Sequence, residues 1–242
     1  MINLYIGFDS TNYGQELAFE VCKRSVLRFN KNVKIHKLDK KELQQKKLYL
    51  RKNDNDGSTE FTYTRFLVPF LNNYTGFAIF CDSDFIWRCD INILKQYFDN
   101  SKAISCVKHS YQNCNNNTKM DGLTQEWYPR KNWSSLIIYN CGHTDLLKLN
   151  ITSIANNSPK WLHRFEFTED DNIGELPKTF NYLLGYYNDI DEPNAVHLTD
   201  GGPWHKSWYN KIIPTSEKYY SEWIKYLNYY EKENLDIFLN SI

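Results

Sequence analysis

The 242-residue chain carries no net charge, because 29 Lys and Arg balance 29 Asp and Glu. Without an excess of one sign, no long-range field draws it to nucleic acid or to an anionic membrane, and any such partner would have to be met locally. Long apolar runs are also missing. The longest, such as Phe77 to Cys81, reach about five residues against the roughly 20 needed to cross a bilayer, so a transmembrane span is not expected. The opening residues MINLYIGFDS have neither a basic leader nor a cleavage site and read as a first core strand, from which a cytoplasmic location is expected. The six cysteines (Cys22, Cys81, Cys89, Cys106, Cys114 and Cys141) form no CxxC pair and no zinc spacing, and their apolar surroundings suit reduced core thiols. Triplets of the form N-x-S/T, such as Asn73-Tyr74-Thr75 and Asn132-Trp133-Ser134, are what a chain with 27 Asn produces by chance. No repeat, low-complexity linker or charge run marks a boundary. A single domain is expected, with halves over 1–108 and 109–216 and a C-terminal helix over 217–242.

What is present describes a folded chain, 41% hydrophobic and 24% charged, long enough to bury a core without disulfides. Ile2 to Phe8 reads as a strand and Glu16 to Phe29 as a helix, since Leu17, Val21, Val26 and Leu27 recur near helical spacing. Val33 to Leu38 alternates as a second strand, and Lys40 to Leu50 is a lysine-rich helix candidate. Thr62 to Leu71 reads as a helix that tolerates Pro69, and Gly76 to Cys81 as a strand buried on both faces. Further on, Ile91 to Phe98 suits a helix, Ala103 to Lys108, Trp133 to Tyr139 and Ala195 to Thr199 suit strands, and Glu217 to Asn240 one long helix. Strands alternating with helices indicate an α/β fold with a mainly parallel central sheet flanked by helices.

The sharpest local feature is Phe80-Cys81-Asp82-Ser83-Asp84, two carboxylates at i, i+2 directly after a buried strand. Ligands of open α/β sheets bind at the carboxyl ends of strands, where paired acidic side chains are costly unless a cation uses them. On its own the motif is equally a turn in which Asp82 and Asp84 cap the next segment. Likewise, a histidine on a short apolar strand, such as His197, is by itself more often a core or surface residue than a ligand.

Five segments in order carry a resemblance. Thr62-Tyr63-Thr64-Arg65-Phe66 is similar to a Tyr-x-Arg-Phe/Leu segment, Asp82-Ser83-Asp84 to a DxD, and Tyr139-Asn140-Cys141-Gly142 to an FNSG segment. Ile173 to Asn181 (IGELPKTFN) is similar to an LPxxWN stretch, and His197 through Trp204 to a closing HFxG…PW motif. Together, from Ile2 to Trp208, they resemble the GT-A fold glycosyltransferases, especially the family-8-like group of glycogenin and bacterial galactosyltransferases. The resemblance implies a Rossmann-like GT-A fold, transfer of a sugar from a nucleotide-sugar donor, most simply a uridine diphosphate sugar, to a glycan, lipid, protein or other hydroxyl acceptor, and retention of anomeric configuration. It implies Mn²⁺ or Mg²⁺ held by Asp82, Asp84 and His197, a donor set that suits Mn²⁺ somewhat better. Donor contacts are expected from Phe8 and Asp9 at the end of the first strand, and from Arg65, Asp82, Ser83, Asn140, Gly201 and Gly202. Lys206 would replace the lysine that the family usually has just before Pro-Trp, where this chain has Gly202. Arg65 has a competing role as the buried partner of a carboxylate.

Glu169-Asp170-Asp171-Asn172 stands where the family has an Asp-Gln-Asp-like segment, so Asp170 and Asp171 are catalytic candidates, with an acidic turn as the alternative. Trp161, Phe165, Trp204 and Trp208 could stack on a sugar, though core packing suits each better. The aromatic, lysine-flanked C-terminal helix suits packing on the domain, or at most a peripheral membrane contact. Two other functions remain open from the residues: a haloacid-dehalogenase-type phosphatase with Asp82 as nucleophile, and a non-catalytic nucleotide- or sugar-binding module. Against the phosphatase, two strand-helix units precede Asp82, and Ile86 stands where that motif has Thr or Val.

Overall fold

Alternation of side chains along the first buried strands sets the layering. The computed structural model describes residues 1–52, 57–110, 118–119, 123–124, 129–187, 190–205 and 214–241. In β3 (Phe77–Cys81), Ala78 and Phe80 enter one apolar cluster while Ile79 and Cys81 enter another, as the two-residue period of a strand requires. This strand lies inside a six-stranded sheet that also holds β1 (Ile2–Phe8), β2 (Val33–Asp39), β5 (Ile104–Cys106), β8 (Leu136–Asn140) and β9 (Ile173–Glu175), in the order β2-β1-β3-β8-β5-β9. All pairs are parallel except those of β8, which runs antiparallel to both β3 and β5. A smaller sheet, β10-β11-β4, joins β10 (Tyr182–Leu183), β11 (Ala195–His197) and β4 (Phe85–Trp87), and β6 (Thr118–Lys119) pairs with β7 (Leu123–Thr124).

Helix α1 (Tyr13–Phe29) begins where the Asn12 side chain accepts the Gln15 N–H (3.0 Å), and it packs Phe19, Cys22 and Val26 against one face of the large sheet. Its neighbouring stripe, Leu17, Ala18 and Val21, meets the small sheet. The opposite face of the large sheet is covered by Phe61 to Val68 and by Leu146 to Phe167.

Several elements are shorter than the sequence pattern suggests. Helix α2 (Lys40–Gln45) stops well before Leu50 because Lys47 turns left-handed (φ 58°), letting the Leu48 N–H reach Leu43 O at 2.8 Å. The stretch around Pro69 is a 3-10 turn (Thr64–Leu67) followed by one turn of helix, α3 (Val68–Leu71), and Ile91–Tyr97 is 3-10 throughout. Two further short helices, α4 (Ile151–Asn156) and α5 (Pro159–His163), lie between β8 and β9. The expected single C-terminal helix is two, α6 (Pro214–Ile224) and α7 (Tyr229–Ser241). The break lies at Asn228, whose side chain accepts the Glu231 N–H (2.9 Å) while Glu231 accepts the Asn228 N–H (2.8 Å), a reciprocal cap that starts a new helix. Tyr219, Trp223, Leu227, Leu235 and Leu239 are buried against the small sheet and α1, whereas Tyr229 and Tyr230 are exposed. No helix among the described residues is long and apolar enough to cross a membrane.

Candidate functional site

The acidic pair leaves β3 at the carboxyl end of the sheet, beside the end of β1, since Ile6 is the register partner of Cys81. From Asp84 the chain passes directly into β4, which pairs antiparallel with β11 so that Phe85 stands opposite His197. This pairing brings a residue more than a hundred positions away onto the acidic motif: Leu198 N–H donates to Asp84 O (2.9 Å), and His197 Nε2 lies 3.2 Å from Asp84 Oδ1. One ligand-type atom from each of Asp82, Asp84 and His197 lies within 4.8 Å of the others. His197 is 2% exposed and stacks on Phe85 (centroids 4.6 Å apart).

Arg65 completes the cluster from beneath. Its Nη1 pairs with Asp82 Oδ1 (2.9 Å) and donates to Ser134 O (2.8 Å), and the guanidinium sits over the rings of Phe61 and Phe80. The two side chains are only 7% and 13% exposed, so this is a buried ion pair. The Asp82 backbone is fixed too, its N–H donating to Ser135 O (2.9 Å). Behind His197, Nδ1 lies 2.9 Å from Asn181 Oδ1, and Asn181 Nδ2 donates to Ser135 Oγ (2.8 Å). The turn Asn132 to Ser135, entered with Asn132 left-handed (φ 63°), therefore anchors both Asp82 and the support of His197.

These residues fit a divalent cation. Two carboxylates and an imidazole converge here, and oxygen plus imidazole is a hard-to-borderline donor set of the kind that takes Mn²⁺ or Mg²⁺. The 3.2 Å between His197 Nε2 and Asp84 Oδ1 lies within the span of about 3 to 4.2 Å between ligands about 2.1 Å from a common ion.

The other residues singled out from the sequence fall into two groups. Phe8 and Asp9 lie at the same end of the sheet but are turned to folding tasks: Phe8 packs on Phe19 beneath Lys37, and Asp9 accepts from Thr11 N (2.9 Å), Thr11 Oγ1 (2.6 Å) and Glu60 N (3.2 Å). Ser83 is buried next to the acidic pair, its Oγ making no hydrogen bond among the described residues. Gly201 (φ 101°) and Gly202 follow β11; a Cβ at Gly202 would stand 2.2 Å from Trp204 Cζ3, so this glycine is required by the packing of the indole. Trp204 and Phe165 are core residues, Trp161 packs against Phe167, and Lys206 and Trp208 lie outside the described residues.

Asn140, Asp170 and Asp171 are not brought to the cluster. Asn140 pairs with Phe77, four residues upstream of Cys81 and so about 13 Å from the carboxyl end, and its Nδ2 donates to Asn100 O and Lys102 O. Asp170 and Asp171 form a 3-10 turn before β9, whose first residue is level with Ile104 and Tyr139. The Asp170 side chain is 79% exposed and pairs with Arg130, while Lys102 donates to the Asp171 carbonyl. The stretch 158–170 instead reaches the site through His163, whose Nδ1 lies 3.0 Å from Ser134 Oγ and whose ring meets Phe66. Burial, helped by the charges of Arg65 and Arg51, pushes His163 down to about 3, so it is neutral. His109, at the outlet of β5, is likewise pushed to about 3 by burial and pairs with Tyr187 OH (2.7 Å). Asn181 closes the IGELPKTFN segment matched in sequence, whereas Ser135 and His163 carry no motif signature of function; only the paired hydroxyls of Ser134 and Ser135 before a strand hint at the anchoring turn.

No protein-family model matches the chain. It is 37% identical over 237 residues to Protein CDI of Arabidopsis thaliana, a match covering 96% of this chain and 88% of that protein. Among solved structures, mouse xyloside xylosyltransferase 1 is similar with a TM-score of 0.50 at 12% identity, over 84% of this chain and 99% of that one. The galactosyltransferase LgtC matches with a TM-score of 0.51 at 10% identity, over 94% and 96%. GlyE of Streptococcus pneumoniae matches with a TM-score of 0.55 at 15% identity, over 99% of this chain and 62% of GlyE. The fold is that of the GT-A glycosyltransferases.

Proposed function

Since the chain belongs to the family of the Arabidopsis Protein CDI and has a GT-A fold, we propose that it is a divalent-metal-dependent glycosyltransferase of the family-8-like type, using a nucleotide-sugar donor. The observation that carries this reading is the convergence of Asp82, Asp84 and His197 at the carboxyl end of β3, with ligand atoms within 4.8 Å of one another. A dianionic or trianionic diphosphate cannot sit against two carboxylates unless positive charge intervenes, and Arg65 is already committed to Asp82. Mn²⁺ or Mg²⁺ bound there would act as a Lewis acid for the diphosphate leaving group.

The chain's own residues have separable tasks. Asp82, Asp84 and His197 hold the cation; Arg65 and the Ser135 carbonyl fix Asp82 in place; and β4 pairing with β11 sets the distance between Asp84 and His197. The donor is a uridine diphosphate sugar by family likeness, and the acceptor a glycan, lipid, protein or other hydroxyl. Retention of configuration is likewise proposed by family likeness.

A phosphatase with Asp82 as nucleophile suits the geometry less well, because Asp82 Oδ1 is held in a buried pair with Arg65. A thermal-shift screen of nucleotide sugars with and without Mn²⁺ tests the proposal, since a ligand of the folded state raises the melting temperature. A donor that stabilises the protein only with the cation supports it; donor cleavage to nucleoside diphosphate excludes a purely binding module, and NMR of the product reports retention or inversion.

A further inference from the structure

A chain of hydrogen bonds runs behind His197. Asn132 O can only accept, and Ser135 Oγ donates to it at 2.7 Å. With its proton used, Ser135 Oγ must accept at its contact with Asn181 (2.8 Å), so the amide nitrogen of Asn181 faces Ser135 and its oxygen, Oδ1, faces His197. An amide oxygen only accepts, so the imidazole carries a proton on Nδ1, and Nε2 is the nitrogen that faces Asp84 Oδ1 at 3.2 Å. Asn181 is fully buried, as is Ser135.

We propose that Asn181 is a positioning residue of the cation site, holding the His197 proton on Nδ1 so that Nε2 remains available as a ligand. The need arises from Asp84. With no acceptor behind the ring, the neutral imidazole would place its proton on Nε2 and donate it to Asp84 Oδ1, blocking both the histidine and that carboxylate oxygen. The same device ties the two ligating strands together, because Ser135, which accepts from Asn181 through its hydroxyl, also accepts the Asp82 N–H through its carbonyl. The inference rests on the reading of Asp82, Asp84 and His197 as a cation site, but its tautomer component is independent of any metal.

Two variants and two readouts test it. In the metal-free protein, nitrogen-resolved NMR of His197 is expected to show a proton on Nδ1 in the wild type and on Nε2 alone in Asn181→Ala. Asn181→Asp, which keeps an acceptor toward Nδ1, is expected to return the proton to Nδ1. Calorimetry with Mn²⁺ alone should show Asn181→Ala weakened about 10- to 100-fold and Asn181→Asp close to the wild type. The proposal is overturned if His197 in the wild type or in Asn181→Asp has no proton on Nδ1, or if a folded Asn181→Ala keeps both the Nδ1 proton and Mn²⁺ affinity. Should Asn181→Ala not fold, the wild type and Asn181→Asp still decide the matter. Absence of Mn²⁺ binding by a wild type that does carry Nδ1–H would instead sink the cation site and leave the orienting role of Asn181 standing.

Discussion

Truncating Arg65 to alanine is expected to destabilise the protein in a way that reveals what the arginine is for. The change removes the positive member of a pair 2.9 Å long whose side chains are 7% and 13% exposed, and it leaves Asp82 charged beside Asp84. Breaking such a buried pair from one side costs about 3 to 5 kcal/mol. The Ser134 carbonyl loses its 2.8 Å donor as well, although some of that penalty falls within the same range because both contacts use Nη1. For a chain of this size a loss of 1 kcal/mol lowers the melting temperature by about 2 to 4 °C, so the expected fall is about 6 to 20 °C. Two features separate this from simple loss of packing. Asp82→Asn, by neutralising the stranded carboxylate, should restore part of the loss, so the double variant is more stable than the sum of the single changes predicts. Mn²⁺ should raise the melting temperature of Arg65→Ala by more than that of the wild type, because the cation now supplies charge that Arg65 no longer does. Calorimetric melting of the four proteins, with cation and with chelator, is the assay. Strictly additive losses, or a melting temperature within about 2 °C of wild type for Arg65→Ala, would refute the assignment of Arg65 to Asp82 and return it to donor contact.

Three further outcomes follow from the packing. His163 and His109 are pushed to about 3 by burial, so below the unfolded value near 6.5 the unfolded chain binds protons that the folded chain does not, and stability must fall as pH falls. Between pH 7.5 and 5 each contributes a loss of about 2 kcal/mol, above the range where carboxylates titrate; denaturant midpoints read it, and His163→Gln should flatten the slope. Gly202→Ala places a methyl group inside the Trp204 ring contact and should cost about 1 to 3 kcal/mol, read as a lower melting temperature, whereas no loss would mean that the indole repositions freely. Asp170→Asn with Asp171→Asn should retain turnover and stability, since the pair lies on an exposed turn before β9; a loss of about two to four orders of magnitude in turnover would identify one of them as a base after all.

The layered α/β plan was legible because its strongest signals are local. The Gly76 to Cys81 run, alternation from Val33 to Leu38 and helical spacing from Glu16 to Phe29 each specify an element without help from the rest of the chain. Ends were less legible where termination depends on one backbone conformation, as at Lys47, or on a reciprocal cap, as at Asn228 and Glu231. At the site, Asp82, Asp84 and His197 could be paired from motif order, and they do converge. Arg65 could be singled out but not assigned, because donor contact and carboxylate pairing leave the same sequence trace. Asn140, Asp170 and Asp171 stand near the motifs they were matched to, yet strand direction decides which end of the sheet a residue reaches, and β8 runs antiparallel. Asn181 and Ser135 were invisible as a pair, since 46 positions of chain separate two residues joined by one hydrogen bond.

The central claim is that the cluster of Asp82, Asp84 and His197 binds a nucleoside diphosphate through a divalent cation. Isothermal calorimetry of uridine diphosphate into the protein, first with Mn²⁺ and then in chelator, tests it most directly, with Asp84→Asn as the paired control. Binding that requires the cation and is lost in Asp84→Asn is the predicted result. Binding of equal strength in chelator, or unchanged binding in Asp84→Asn, would contradict the account.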